Sequence, residues 1–166
     1  MVLRDQKQNK NLIMNKIQIT DNIERISPDE FGEFVKVYNL NLPKSYIEFI
    51  LENNGGYPDK SFFYSKKVDL EFDFDFFYSI DSKYEDKDVL DAIDDLVTVN
   101  EIIDNYQIND KELPTFLYPF GQNSGGATYC ISTKGEDYGV VYLHYWDGSE
   151  LQFICDSFEE FIEGLK

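Results

Sequence analysis

Leu42-Pro43-Lys44-Ser45-Tyr46-Ile47-Glu48-Phe49-Ile50-Leu51-Glu52-Asn53-Asn54-Gly55-Gly56-Tyr57-Pro58 reads as a complete helix instruction, with a start, an apolar stripe and a stop. Pro43 suits the first helical position, because the N–H it lacks would have no intrahelical acceptor there and its φ is already helical. Leu42, Tyr46, Phe49 and Ile50 recur at the spacing of one helix face. Asn53, Asn54, Gly55 and Gly56 supply residues that tolerate positive φ, and Pro58 forbids continuation. The helix must end there in a tight turn. Gly55 and Gly56 are therefore expected to serve the backbone first.

Upstream, Ser27-Pro28-Asp29-Glu30 opens another helix with a capping box, and Phe31, Phe34, Val35 and Tyr38 form its apolar face. Asn39 to Asn41 makes the turn between the two. Downstream, over residues 62 to 80, Val68, Leu70, Phe72, Phe74, Phe76, Tyr78 and Ile80 share one parity, and Asp69, Glu71, Asp73 and Asp75 the other. That period of two predicts a strand, or two strands broken by a bend, with an aromatic inner face and an acidic outer one. Tyr84 to Asp95 reads as an acidic loop with a helical turn. Thr98-Val99-Asn100-Glu101 is a second capping box and predicts a short helix over about 99 to 106. Thr128 to Ser132, Gly139 to Tyr145 and Leu151 to Ile154 are short, aromatic or β-branched runs separated by glycine-containing turns, the pattern of an antiparallel meander. Ser157-Phe158-Glu159-Glu160 is a third capping box and starts a closing helix faced by Phe158, Phe161, Ile162 and Leu165. Helices, then strands, then a helix predict one α+β domain over residues 20 to 166, built around a mainly antiparallel twisted sheet. Residues 1 to 19 are expected to be a flexible extension, and Met14 is an alternative start.

Composition narrows the function. With 14 Phe and 12 Tyr in 166 residues, the chain can bury a substantial core. Its formal charge is −17, from 15 Lys and Arg against 32 Asp and Glu. Such a body repels phosphate backbones, so direct nucleic-acid binding is not expected, whereas a basic protein surface would be attracted. No run approaches the roughly 18 apolar residues of a membrane helix, and no signal-peptide core follows the basic start, so a cytoplasmic protein is expected. Cys130 and Cys155 sit in apolar runs and read as buried thiols.

Chemistry-bearing patterns are sparse. Gly121-Gln122-Asn123-Ser124-Gly125-Gly126 echoes a glycine-flanked nucleophilic serine, but the only histidine, His144, follows it. A serine nucleophile needs a base and an orienting group in geometry, so this string reads as a Gly-rich hairpin. Exposed strand carboxylates lack the unequal environments that acid–base pairs require. No phosphate-cradling loop or dinucleotide fingerprint is present, and neither a catalytic residue, a metal nor a cofactor is expected. Charge pattern alone favours a solvated face as the reading of the acids, with a docking surface for a basic partner as the alternative. Asp69, Glu71, Asp73 and Asp75, with the later Glu85, Asp86, Asp88, Asp91, Asp94 and Asp95, can form a negative docking surface, with Tyr78 and Tyr84 as its aromatic anchors.

Leu42-Pro43-x-x-Tyr46-x-x-Phe49-Ile50-Leu51-x-x-Asn54-Gly55-Gly56-x-Pro58 resembles the signature of the SUKH superfamily, which includes bacterial toxin-immunity proteins and fungal cell-wall-synthesis regulators. The Ser-Pro-Asp-Glu helix start, Pro119-Phe120-Gly121, Gly125-Gly126-x-x-Tyr129-Cys130-Ile131, Gly139-Val140-Val141-Tyr142 and the closing Phe-x-x-Phe-Ile helix follow the same order. Gln122-Asn123 departs from it, since relatives often carry an acidic residue there. The resemblance implies helices against a mainly antiparallel sheet, no cofactor, and action by protein binding. It points to an immunity protein that occludes a cognate toxin, such as a nuclease, as a monomer or weak homodimer. A regulatory adaptor without a toxin is the alternative, and a hydrolase a more distant one.

Overall fold

The computed structural model describes residues 17–20, 24–81, 97–109 and 111–166. The fold opens with β1 (Ile19–Thr20), followed by helices α1 (Pro28–Val37) and α2 (Lys44–Asn53). β1 pairs with β2 (Tyr57–Pro58), Ile19 opposite Pro58, so the described fold takes in residue 19, just before the expected boundary. The capping box of α1 closes in both directions: Glu30 N donates to Ser27 Oγ at 3.2 Å and Ser27 N donates to Glu30 Oε2 at 2.8 Å. Phe31 and Phe34 are its buried residues.

α2 differs from expectation by one position at its start. Pro43 is the N-cap, at φ −61° and ψ 144°, and its carbonyl accepts the first helical bond from Ile47 N at 3.1 Å. Proline's fixed φ suits either position; the extended ψ is what leaves Pro43 outside the helix. The stop is made by Asn54, in the left-handed region at φ 37°, with Gly55 at φ 83° and Gly56 at φ 109° completing the turn. A Cβ on Gly55 would lie 2.4 Å from Ser79 Oγ and 2.9 Å from Phe77 O, so the glycine is needed for space as well as for φ.

The acidic-aromatic stretch forms three short strands. β3 (Phe62–Ser65) and β4 (Leu70–Asp73) make a hairpin, and β5 (Phe76–Phe77) starts the main sheet. The expected single parity does not run through them. Phe74, Phe76, Phe77, Tyr78, Ser79 and Ile80 are all buried, because β5 lies between layers, whereas Leu70 is 50% exposed. Alternation requires one wet face, and β5 has none.

β6 (Leu117–Gln122), β7 (Thr128–Ser132), β8 (Val141–His144) and β9 (Gln152–Cys155) complete an antiparallel sheet in the order β5-β6-β7-β8-β9, of which the expected meander covers β7 to β9. Pro119 is accommodated inside β6 by a register shift between Pro119 and Gly121. The expected helix after Thr98 begins as α3 (Val99–Ile102), with its reciprocal capping box, but continues as a π-helix over Ile103–Asn109. Gln107 Nε2 donates to the carbonyls of Pro114 and Leu117, tying the π-helix to the start of β6. α4 (Phe158–Gly164) is capped by Ser157, which accepts from Glu160 N at 3.1 Å. Its box is not reciprocal, since Glu160 Oε2 accepts from Asp156 N instead.

α2 and α4 pack together on one face of the sheet through an aromatic core centred on Phe120. The Phe120 ring lies 5.2 Å from Phe158 and 5.4 Å from Phe161, both edge-on, which suits the quadrupoles of the rings. Tyr46 of α2 meets Tyr118 of β6 hydroxyl to hydroxyl at 2.7 Å. The architecture is α+β, with helices against a mainly antiparallel sheet.

Candidate partner-binding surface

The β3–β4 hairpin carries the clearest exposed combination of aromatic and charged groups among the described residues. Pairing runs Phe62 to Asp73, Phe63 to Phe72, Tyr64 to Glu71 and Ser65 to Leu70. Even-numbered residues of β3 therefore share a face with odd-numbered residues of β4. Phe63 and Ser65 point inward, Phe63 stacking at 5.3 Å on Phe161 and Ser65 Oγ donating to Ile154 O at 2.6 Å. Phe62 and Tyr64 consequently point outward beside Glu71 and Asp73, and are 46% and 41% exposed.

The charges on this face are partly engaged. Lys166 Nζ lies 3.1 Å from Glu71 Oε2 and 5.8 Å from the centre of the Tyr64 ring. Asp69, at φ 57° in the hairpin turn, accepts a hydrogen bond from the Tyr64 hydroxyl. That bond, with the carboxylate's charge and some desolvation, raises the phenol above its ordinary pKa. Asp73 Oδ2 accepts from Ser124 N at 2.9 Å and from Ser124 Oγ at 2.5 Å, while Tyr129 OH donates to Asp73 O at 2.6 Å. Asp75 is half-buried, and its backbone N donates to Gln122 O at 2.9 Å.

The structure thus brings Asp69, Glu71 and Asp73 together on or beside one hairpin face. Tyr78 does not join them. It is 1% exposed, with its hydroxyl 3.2 Å from Gln122 Oε1 and 3.3 Å from Thr128 Oγ1, and burial raises its pKa. This corrects the expectation of a surface anchor; β5 is covered on both faces, so neither parity reaches solvent. Tyr84, Glu85, Asp86, Asp88, Asp91, Asp94 and Asp95 lie outside the described residues. Phe62, Tyr64 and Lys166 are the surface residues that sequence reasoning missed. The signal was the four-residue connection from Ser65 to Leu70, which pairs odd with even positions across the hairpin.

The signature residues lie inside. Leu42, Tyr46, Phe49, Asn54, Gly55 and Gly56 are buried. Asn54 is 1% exposed; its Oδ1 accepts from Ile80 N at 2.8 Å and its Nδ2 donates to Glu24 O at 3.0 Å and Ile80 O at 3.2 Å.

The serine string forms the turn between β6 and β7, closed by Asn123 N donating to Ala127 O at 3.0 Å. The Ser124 hydroxyl donates a hydrogen bond to Asp73, and the His144 ring stands edge-on to Trp146 with centroids 4.7 Å apart. Desolvation lowers the His144 pKa, partly opposed by the charge of Glu112. A serine activated by histidine is not what this geometry presents. Among the described residues, no group of three or more His, Cys, Asp or Glu is placed to hold a metal ion, and no helix is long and apolar enough to cross a membrane.

No curated protein matches the chain. Residues 25–164 match the family model described as the SMI1 / KNR4 family (SUKH-1), a span that runs from the residue before Ile26 through α4 and takes in the hairpin and the whole main sheet. The chain therefore belongs to the SMI1 / KNR4 family (SUKH-1).

Proposed function

We propose that this protein is an immunity protein that binds a cognate bacterial toxin in the cytosol and neutralises it by stoichiometric occlusion, without catalysis. The observation that carries the reading is the family match over residues 25–164, in a superfamily whose bacterial branch includes toxin-neutralising proteins. The charge of −17 supports a partner with a basic surface, such as the substrate cleft of a nuclease, through faster encounter and complementary contacts. The commitment of Ser124 to Asp73 supports a role in binding over one in hydrolysis. Asp69, Glu71, Asp73, Asp75, Glu85, Asp86 and Asp88 are the acids proposed for partner binding.

Co-expression with the product of the adjacent toxin-like gene tests the reading. Growth rescue together with a stable one-to-one complex is the expected result, and rescue should survive Ser124→Ala. Toxicity that the wild-type chain leaves unrelieved, with no complex formed, would overturn it. Charge reversal of Asp73, Asp75, Glu85 and Asp88 together is expected to reduce rescue and affinity; unchanged protection would remove the acidic face from the reading. A regulatory adaptor shares the same family, and the absence of any toxin-encoding neighbour would favour it.

A further inference from the structure

Tyr64, Glu71 and Lys166 form a cation clamp whose present occupant is the protein's own lysine. The ammonium sits 3.1 Å from a carboxylate oxygen and within the roughly 6 Å over which an aromatic face attracts a cation. Both ends of the Glu71–Lys166 pair are exposed, with side-chain exposures of 52% and 61%, so the pair is weak and its ammonium exchangeable. The backbone of Lys166 is fixed separately: its N donates to Phe62 O at 2.9 Å, and its O accepts from Phe62 N at 3.1 Å and from Ser61 N at 3.3 Å. The side chain can leave the clamp while the main chain stays. Phe62, beside the clamp on the same face, offers the apolar contact that a visiting residue would bury.

We infer that the outer face of the β3–β4 hairpin docks a protein partner that inserts an arginine or lysine between the Tyr64 ring and the Glu71 carboxylate, displacing Lys166. This rests on the immunity reading and names the contact that reading requires. Arginine is the better fit, because its planar guanidinium can lie on the phenol ring and meet a carboxylate through two N–H groups at once, which an ammonium cannot. The visiting cation would meet a carboxylate already held on a paired strand, with the exposed Phe62 ring on the same face.

Substitutions on this one face should act with opposite signs. Removing Lys166 removes a competitor, whereas removing Tyr64 or Glu71 removes the clamp. The probe is the capped tripeptide acetyl-Leu-Arg-Leu-amide, titrated into the isotope-labelled full chain and followed by amide NMR, with acetyl-Leu-Glu-Leu-amide as control. Shifts are expected at Tyr64, Asp69, Glu71 and Lys166, with Tyr64→Ala and Glu71→Gln each weakening binding about threefold to fivefold, as loss of an exposed cation–π or ion-pair contact implies. Lys166→Ala is expected to tighten it by a similar factor. Shifts spread over acids elsewhere, or a Lys166→Ala variant that binds no better than wild type, would overturn the clamp. In the cell, Tyr64→Ala combined with Glu71→Gln should reduce toxin protection, with melting unchanged. Full protection by that variant would overturn the hairpin as the docking face and leave the immunity reading standing. A wild-type chain that neutralises no toxin would sink the immunity reading, while the peptide titration still decides the clamp. A wild-type dimer dissociated by Tyr64→Ala would assign the face to a second copy and overturn the proposed partner.

Discussion

Replacing Asn54 by alanine should destabilise the protein far more than a polar-to-alanine change usually does. The side chain makes two buried hydrogen bonds, with Ile80 N and Ile80 O, and a part-buried one to Glu24 O, and the backbone sits at φ 37° and ψ 53°. Alanine leaves the Ile80 N–H buried without its acceptor, at a cost of about 1–3 kcal/mol, and the two carbonyls lose a donor. Holding alanine in the left-handed region adds about 1–2 kcal/mol. The expected loss is about 2–5 kcal/mol, a large part of the stability of a domain this size. Asn54→Gly separates the two causes, because glycine adopts positive φ readily and loses only the side-chain bonds; it should retain about 1–2 kcal/mol relative to alanine. Urea unfolding followed by Trp146 fluorescence measures both. With a slope of about 2 kcal/mol per molar urea, alanine should lower the midpoint by roughly 1–2.5 M. An alanine variant within about 1 kcal/mol of wild type would refute the reasoning, since no buried donor could then have been orphaned.

Alkaline pH should unfold the protein through its core phenols. Burial raises the pKa values of Tyr46, Tyr78, Tyr118 and Tyr129, so the unfolded chain releases protons that the folded chain keeps; stability is full below about pH 10 and falls above it by about 1.4 kcal/mol per pH unit for each phenol. A urea midpoint that stays level from pH 9.5 to 11 would contradict this. Cys130 and Cys155 are 0% and 2% exposed and burial raises both thiols, so an aromatic disulfide reagent should label them only at the rate of unfolding. Rapid labelling of either in the native protein would show the core to be more open than described.

Helix starts were the most legible part of the sequence because their physics is short-range. Ser27 with Glu30 and Thr98 with Glu101 are capping partners three residues apart, and each pair closes as its spacing implies. Asn54 was legible as a helix stop, but its clasp on Ile80 was not, because it joins positions 26 apart in sequence. Distance in sequence also hid the outer face of the hairpin. Tyr64 and Glu71 become neighbours only through the register of the turn, and Lys166 joins them from the far end of the chain. Parity misled at Phe77 and Ser79, which share the acidic parity and are nonetheless buried, because a strand enclosed on both sides has no polar side to reveal it; Tyr78 is buried as its parity implies, and only its assignment as an anchor fails. The π-helix has no sequence signal comparable to a cap; Gln107 holds it by reaching forward to Pro114 and Leu117.

The hairpin is held by what it turns inward and by its main chain: Phe63 against Phe161, Ser65 on the Ile154 carbonyl, Tyr129 on the Asp73 carbonyl, and Phe62 paired with Lys166 through backbone atoms. None of these attachments requires the outward side chains of Phe62, Tyr64 or Glu71. Substitutions at exposed positions away from such attachments usually change stability by no more than about 0.5 kcal/mol. Mutation can therefore rewrite the outer face while the fold persists, so a lineage can acquire a new binding preference through a few substitutions without first becoming unstable.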